Sequence, residues 1–227
     1  MPSPDEVFQQ IESDRAVRER EIRLIDNAAR RTRSSYERDM LLRTSVLLTY
    51  AHLEGFCKFA LSIYVSAINS MKLSCSDASY ALAAATLTKA FSALRNPSSK
   101  HPIFARLLPD DNKLHLLARE QEFVEKVNAI LQTTVELPDT VIDLESNLSS
   151  LVLKKNLFKL GLRYPAVDEQ KPQIDKLLGI RNAIAHGDAL RIPPENEIEE
   201  YRISAFKVMQ FVQYEIFNAL MDESYRR

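Results

Sequence analysis

The chain has few of the residues on which sheet proteins and disulfide-rich folds depend. Its 227 residues include four glycines, two cysteines and no tryptophan. Sheet proteins and phosphate-binding α/β folds use many more glycines in their turns, and two cysteines cannot form a disulfide framework. Hydrophobic residues make up 45% of the chain, which is enough to bury a substantial core. The composition therefore favours an all-α fold with reduced thiols and no metal-binding cysteine cluster.

A strong excess of charge is also missing. Thirty basic and thirty-one acidic residues leave a net charge of -1, so a surface that binds nucleic acid must be local. No stretch reaches the roughly 18 uncharged residues of a membrane span, and the first residues do not resemble a signal peptide. The sequence thus predicts a cytoplasmic protein that has no membrane partner.

Apolar periodicity predicts helices along the chain, starting with a charged one. Val7, Ile11 and Ile22 belong to a single apolar stripe in an otherwise charged segment, residues 1–33. This helix is expected either to join the bundle or to lie at its periphery as a docking element. No internal repeat or linker divides the chain, so we predict one helical domain over residues 1–227.

The second predicted helix has the features of a central bundle helix. Ser34 and Glu37 fit a capping box, in which a hydroxyl and a carboxylate satisfy free backbone amides, and the helix is expected to reach about Met71. Residues 41–68 are apolar on nearly every side, as in a helix that neighbours contact all round. We therefore expect a bundle of long antiparallel helices around it.

Three more helices are predicted in the last third of the chain. One covers residues 147–160, and Pro165 and Pro172 then frame a polar connection. The next begins near Ile174, and the last follows a pair of prolines and covers residues 195–220. The helix that begins near Ile174 is the motif helix, because the most chemically suggestive residues lie at its end.

The motif helix ends with three residues that suggest chemistry, Arg181, Asn182 and His186. Asn182 and His186 are four apart and share a helix face, whereas Arg181 is rotated by about 140° from His186. A guanidinium can grip a phosphate with two parallel hydrogen bonds, and an imidazole transfers protons at neutral pH. The negative end of the helix dipole also favours a charged imidazolium. The motif therefore fits RNA cleavage without a metal ion.

Two interpretations of the motif remain open at this point. One imidazole cannot be both base and acid in the same step, so a catalytic site predicts a two-fold dimer that contributes two copies of His186. Alternatively, Arg181 forms a surface ion pair with Asp175, Asp188 or a glutamate, and His186 only caps a helix end.

Three stretches of the chain, in order, resemble the HEPN superfamily. They are Thr-Tyr-Ala-His-Leu-Glu-Gly-Phe at 49–56, Asp-Leu-Glu-Ser-Asn-Leu at 143–148, and Gly-Ile-Arg-Asn-Ala-Ile-Ala-His-Gly-Asp at 179–188. More narrowly they resemble its RiboL-PSP-HEPN branch, over about residues 41–220. The resemblance implies a bundle that is usually dimeric, with Arg-x4-His as a ribonuclease centre that needs no metal or cofactor. Many such proteins are similar to prokaryotic toxins or antiviral-defence effectors.

The resemblance also assigns roles to individual residues. Arg181 and His186 would be the catalytic pair, Asn182 the polar residue that follows the arginine, and Glu54 an acidic residue that orients one of them. Toxin members silenced by a nucleotidyltransferase-like antitoxin often carry a tyrosine where this chain has Asp188. A neutralising antitoxin or another defence-system partner protein is therefore expected only in general terms.

A short basic stretch adds a candidate RNA-binding surface. Lys154 and Lys155 follow each other on a predicted helix, where they either track an RNA backbone or simply face solvent. The alternative to a ribonuclease is a non-catalytic HEPN module that binds RNA, a nucleotide or a partner protein through the same cleft.

Overall fold

The computed structural model describes residues 2–96, 98–104, 111–187 and 192–227. It is 76% helical, and its described residues form eight α-helices and no named strand, which confirms the predicted all-α class. Two 3-10 turns cover Pro102–Phe104 and Asp139–Val141. The α-helices are α1 (Pro4–Arg31), α2 (Ser35–Ser70), α3 (Tyr80–Thr86), α4 (Thr88–Arg95), α5 (Asn112–Leu131), α6 (Ser150–Lys159), α7 (Pro165–Ala185) and α8 (Glu195–Met221).

Serine caps begin the two long N-terminal helices. Ser34 accepts a hydrogen bond from the amide of Glu37 at 3.3 Å, as predicted, but the Glu37 carboxylate accepts the hydroxyl of Thr32 instead of closing a capping box. A complete capping box lies at the start of α1, where Ser3 and Glu6 each bind the other's backbone amide. These serine caps fix the first residues of α1 and α2, which apolar periodicity alone would not define.

Helix α1 packs within the bundle, which is one of the two positions expected for segment 1–33. It runs antiparallel to both α2 and α8 and contacts each of them along its length. Its apolar stripe, including Val7, Ile11 and Ile22, is fully buried. The charged residues between are held by partners: the carboxylate of Asp26 is buried and accepts hydrogen bonds from Ser45 of α2 and Arg202 of α8.

Helix α2 is the central helix of the structure. It contacts α1, α7 and α8 and contributes the largest share of one continuous hydrophobic core. By length and composition it is the one described helix that could cross a membrane, with an 18-residue window of mean hydropathy 1.2. Neighbouring helices cover it on several sides, as they do in the core of a helical bundle. Cys57 of α2 and Cys75 in the following loop are buried and unpaired.

Helix α7 is longer than predicted. Pro165 is its first residue and Pro172 lies inside it, so the expected connection between these prolines is helical. A proline at the first position costs nothing, because that amide has no partner in a helix. Pro172 is exposed, so water can reach the carbonyl four residues before it, which the missing amide leaves free. Val167 and Ile174, both buried, carry the apolar stripe across the proline.

The buried pair between Asp26 and Arg202 supplies a test of this packing. Asp26→Ala removes the acceptor of the buried Ser45 hydroxyl and of Nη1 of Arg202, whose Nη2 keeps its pair with Glu199. We therefore expect a loss of about 1–3 kcal/mol in the free energy of unfolding. Urea denaturation followed by circular dichroism measures it. Arg38→Ala, which removes an exposed pair with Glu195, is the control and should cost less than about 1 kcal/mol. Equal losses for the two variants would show that the contacts of Asp26 with α2 and α8 do not hold α1 in the bundle.

Candidate functional site

The end of α7 is brought against α2 and against the loop that leads into α6. Helix α6 runs antiparallel to α7, and Asp175 of α7 accepts the amide and the hydroxyl of Ser150 at 3.0 and 2.9 Å. Burial opposes ionisation of Asp175, but these bonds and a 2.6 Å bond from Lys171 together lower its pKa. Because Ser150 is the first residue of α6, this carboxylate places the preceding loop beside the end of α7.

Arg181 lies at the centre of this junction. Its Nη1 donates to Oδ1 of Asn147, in the loop, at 3.0 Å and to Oδ1 of Asn182 at 2.8 Å. Its Cζ lies 4.6 Å from the centre of the Tyr50 ring of α2, within the range of a cation–π contact. Three separate parts of the chain therefore hold one half-buried guanidinium in place.

All of these partners are neutral, and no carboxylate among the described residues pairs with Arg181. The predicted alternative of an ion pair with Asp175 is wrong, because that carboxylate is taken by Lys171 and Ser150. Asp188, the other expected partner, lies outside the described residues. Both amide oxygens use Nη1, so Nε and Nη2 make no hydrogen bond to the described part of the chain. No described carboxylate neutralises the guanidinium, and two of its nitrogens remain as donors for an anion.

Tyr50 and Glu54 form the support beneath this guanidinium. The Tyr50 hydroxyl donates to Oε2 of Glu54 at 2.6 Å. The amide of Leu148 donates to the Tyr50 hydroxyl oxygen at 2.7 Å and to Oε2 of Glu54 at 3.1 Å. Burial and the bond to Glu54 raise the pKa of Tyr50 far above its usual range, so the ring beneath Arg181 stays neutral. Glu54 thus bears on Arg181 indirectly, through Tyr50 and through the loop residue that precedes Leu148.

His186 is the C-terminal cap of α7, and its side chain is exposed. Its amide donates to the carbonyl of Asn182 at 2.9 Å, and Gly187 follows with a φ of +100°, a conformation that favours glycine. The imidazole is exposed and has no hydrogen bond to the described residues. No contact joins it to Arg181, so the structure brings Asn182 to both residues but leaves the two functional groups on different sides of the helix.

The two candidate RNA-binding lysines both form ion pairs outside this cluster. Lys154 pairs with Asp168 at 2.6 Å and Lys155 with Glu145 at 2.8 Å. Asp168 precedes Arg181 by 13 residues, which is about 20 Å along a helix, so Lys154 is too far away to touch a phosphate held by Arg181. Glu145, the partner of Lys155, lies two residues before Asn147, so Lys155 is the nearer of the two lysines to the loop that binds Arg181. The described residues contain no group of three or more His, Cys, Asp or Glu side chains that could hold a metal ion.

Sequence reasoning missed two residues of the site, Tyr50 and Asn147. Both fall within stretches that resemble the HEPN superfamily, but neither carries a charge at neutral pH that would mark it as functional. The spacing of Tyr50 and Glu54 by four residues on one helix face is the signal that was available for the first. Nothing in the local sequence indicates that the Asn147 amide faces a residue 34 positions later.

Comparison with known families gives a match over nearly the whole chain. The profile of the HEPN_MAE_28990-like HEPN family matches residues 7–225. The chain belongs to this HEPN family. The HEPN resemblance of the three stretches is thereby confirmed, whereas the narrower RiboL-PSP-HEPN resemblance stays a prediction. HEPN proteins are often ribonucleases. Searches of the curated proteins and of the solved structures found no significant match.

The support beneath Arg181 makes a prediction about stability. Glu54→Ala removes the acceptor of the Tyr50 hydroxyl and one acceptor of the Leu148 amide. We therefore expect the free energy of unfolding of the HEPN bundle to fall by about 1–3 kcal/mol. Chemical denaturation of wild type and variant measures the difference. Glu169→Ala removes an exposed carboxylate of α7 and is the matched control, expected to change little. A Glu54 variant as stable as this control would show that the network does not hold the loop.

Proposed function

We propose that this HEPN protein is a metal-independent endoribonuclease whose active site is formed by two copies of the chain. The observation that carries the proposal is the state of Arg181: a half-buried guanidinium, held by two amide oxygens and a neutral ring, with no carboxylate partner among the described residues. Arg202, by contrast, is paired with the carboxylate of Asp26. The buried Arg119 also has neutral partners, the carbonyls of Asn96 and Ser99, but it uses both terminal nitrogens on them, whereas Arg181 uses one. An arginine held ready for an anion is what a phosphate site requires.

The reaction that fits these groups is transfer of a phosphodiester within the RNA strand. A first His186 takes the proton of a 2′-hydroxyl, and the 2′-oxygen attacks the adjacent phosphorus. The bond to the 5′-oxygen breaks, and the second His186 protonates that leaving oxygen, which gives a 2′,3′-cyclic phosphate and a free 5′-hydroxyl. Arg181 binds the non-bridging oxygens and stabilises the charge that builds on them.

The proposal needs two copies because one imidazole cannot be base and acid in the same step. His186 is exposed at the end of α7 and makes no hydrogen bond to the described residues of its own chain. A two-fold axis near this helix end would bring two His186 and two Arg181 side chains into one cleft, since each surface then faces its own copy. Base and acid are thus supplied by identical residues.

Such an activity suits a toxin or an antiviral-defence effector, because uncontrolled RNA cleavage harms the cell that makes it. We therefore also propose a protein partner that restrains the nuclease. The second candidate function is a non-catalytic HEPN module that binds RNA through Arg181. It is favoured by one observation, the separation of Arg181 and His186 on the single chain, and it predicts RNA binding without turnover.

Cleavage assays with RNA in EDTA test the proposal. Arg181→Ala and His186→Ala should each lower kcat/KM by at least about 100-fold, since each removes a group that acts on the reacting phosphate. Arg20→Ala, which removes an exposed arginine of α1, is the control and should keep full activity. Circular dichroism and sedimentation check that fold and oligomeric state are retained. Undiminished cleavage by folded Arg181 and His186 variants would refute the assignment.

Mixed oligomers test the shared site separately. Wild-type chain co-refolded with an about tenfold excess of His186→Ala chain should lose about 90% of its activity per wild-type subunit, because nearly every wild-type copy then has a partner without the second imidazole. The control mixes wild type with the same excess of Arg20→Ala chain. If activity per wild-type subunit is the same in both mixtures, each chain acts alone.

A further inference from the structure

A second recess, away from Arg181, has the features of a ligand site. It lies between α3, α4 and the end of α6 and has a volume of about 760 Å³. Alanines form much of its floor, and its largest side chains are three aromatic residues, Tyr80, Phe91 and Phe158. Two of these rings are left open to solvent to an unusual degree, Tyr80 at 76% and Phe158 at 68% exposure. Neither ring is needed to fill the core.

The charge around this recess is of one sign. Arg95 and Lys159 line it, and none of its described lining residues is acidic. Arg227 adds a third positive charge at the rim, with its Cζ 4.2 Å from the centre of the Tyr80 ring. In a chain with a net charge of -1, such a local cluster favours an anionic ligand. Flat rings beside cations are the chemistry that binds unpaired nucleic-acid bases and their phosphates.

Helix α6 connects this recess with Arg181. Its first residue, Ser150, is anchored to Asp175 in the middle of α7 and follows Asn147, the partner of Arg181, by three residues. Its last turn lines the recess, about 12 Å further along the helix. Helical spacing puts Leu151, Lys154, Lys155 and Phe158 on one face, where the two apolar side chains are 58% and 68% exposed. The lysines pair there with Asp168 and Glu145, but such partly exposed pairs are weak and exchange readily for phosphate.

We propose that this recess binds bases of a single-stranded RNA and that the exposed face of α6 carries the strand from there to Arg181. The inference rests on the proposed function, because it takes RNA as the ligand. It assigns Tyr80 and Phe158 to base stacking, Arg95 and Lys159 to phosphates beside the stacked bases, and the α6 lysines to the strand between. Double-stranded RNA is excluded as the ligand of the recess, since its paired bases cannot reach the rings.

The test measures binding without cleavage. Fluorescein-labelled single-stranded oligouridylate is titrated with the full-length His186→Ala protein, and anisotropy gives Kd at several salt concentrations. Adding Tyr80→Ala and Phe158→Ala should weaken binding by about 10-fold or more, because each stacked base contributes to affinity. Tyr80→Phe with Phe158→Tyr keeps both rings and should bind like the parent. Arg95→Ala should lower the slope of log Kd against log salt by about 0.7, the value for one phosphate contact.

Tyr36→Ala is the matched control, because Tyr36 is also 76% exposed but lies at the start of α2, away from the recess. It should leave Kd unchanged. Equal Kd values for the parent and the Tyr80→Ala, Phe158→Ala protein overturn the inference, and so does a parent that binds no RNA. If those two substitutions dissociate an oligomer while RNA affinity per subunit stays the same, the recess is an interface between copies and the inference is again overturned. Tight, ring-dependent RNA binding by a protein whose wild type never cleaves RNA supports the recess and refutes only the proposed nuclease.

Discussion

The hydrogen bonds from the Leu148 amide to Tyr50 and Glu54 are the contact on which the candidate site depends. They join the central helix to the loop before α6, across 98 positions in the sequence. The same contact fixes Asn147 where its amide oxygen meets Arg181, and it fixes the Tyr50 ring beneath the guanidinium. Because a buried amide without an acceptor is costly, the loop is held firmly in this one position.

The electrostatic contrast between Arg181 and the other arginines gives the site its character. Arg15, Arg18 and Arg202 each bind a carboxylate; the first two do so within α1, and the pair of Arg202 with Asp26 joins α8 to α1. At Arg181 the described partners are neutral, and burial together with Glu54 keeps Tyr50 neutral as well. A charge that the fold positions but does not neutralise lowers the cost of binding an anion, since no ion pair has to break first.

Most of the helices were predictable, and the exceptions have local causes. Serine caps and apolar periodicity placed α2 correctly, because both act within a few residues along the chain. Because of Pro172, the predicted start of α7 was too late in the chain. Proline disfavours a helix unless water reaches the carbonyl that it leaves without a donor, and the fold decides whether that carbonyl is exposed. The charge of α1 left a peripheral position open, because Asp26 finds its partners only when α2 and α8 surround it.

The sequence by itself determined the all-α class, the HEPN motif and the position of Arg181, Asn182 and His186 at the end of a helix, because these follow from composition and short spacing. Only the tertiary structure decided that Asn147 and Tyr50 hold Arg181, that Glu54 acts through them, and that no described carboxylate reaches the guanidinium. The physical reason is distance along the chain. A hydrogen bond between residues 34 or 98 positions apart depends on how whole helices pack, and no local pattern encodes it.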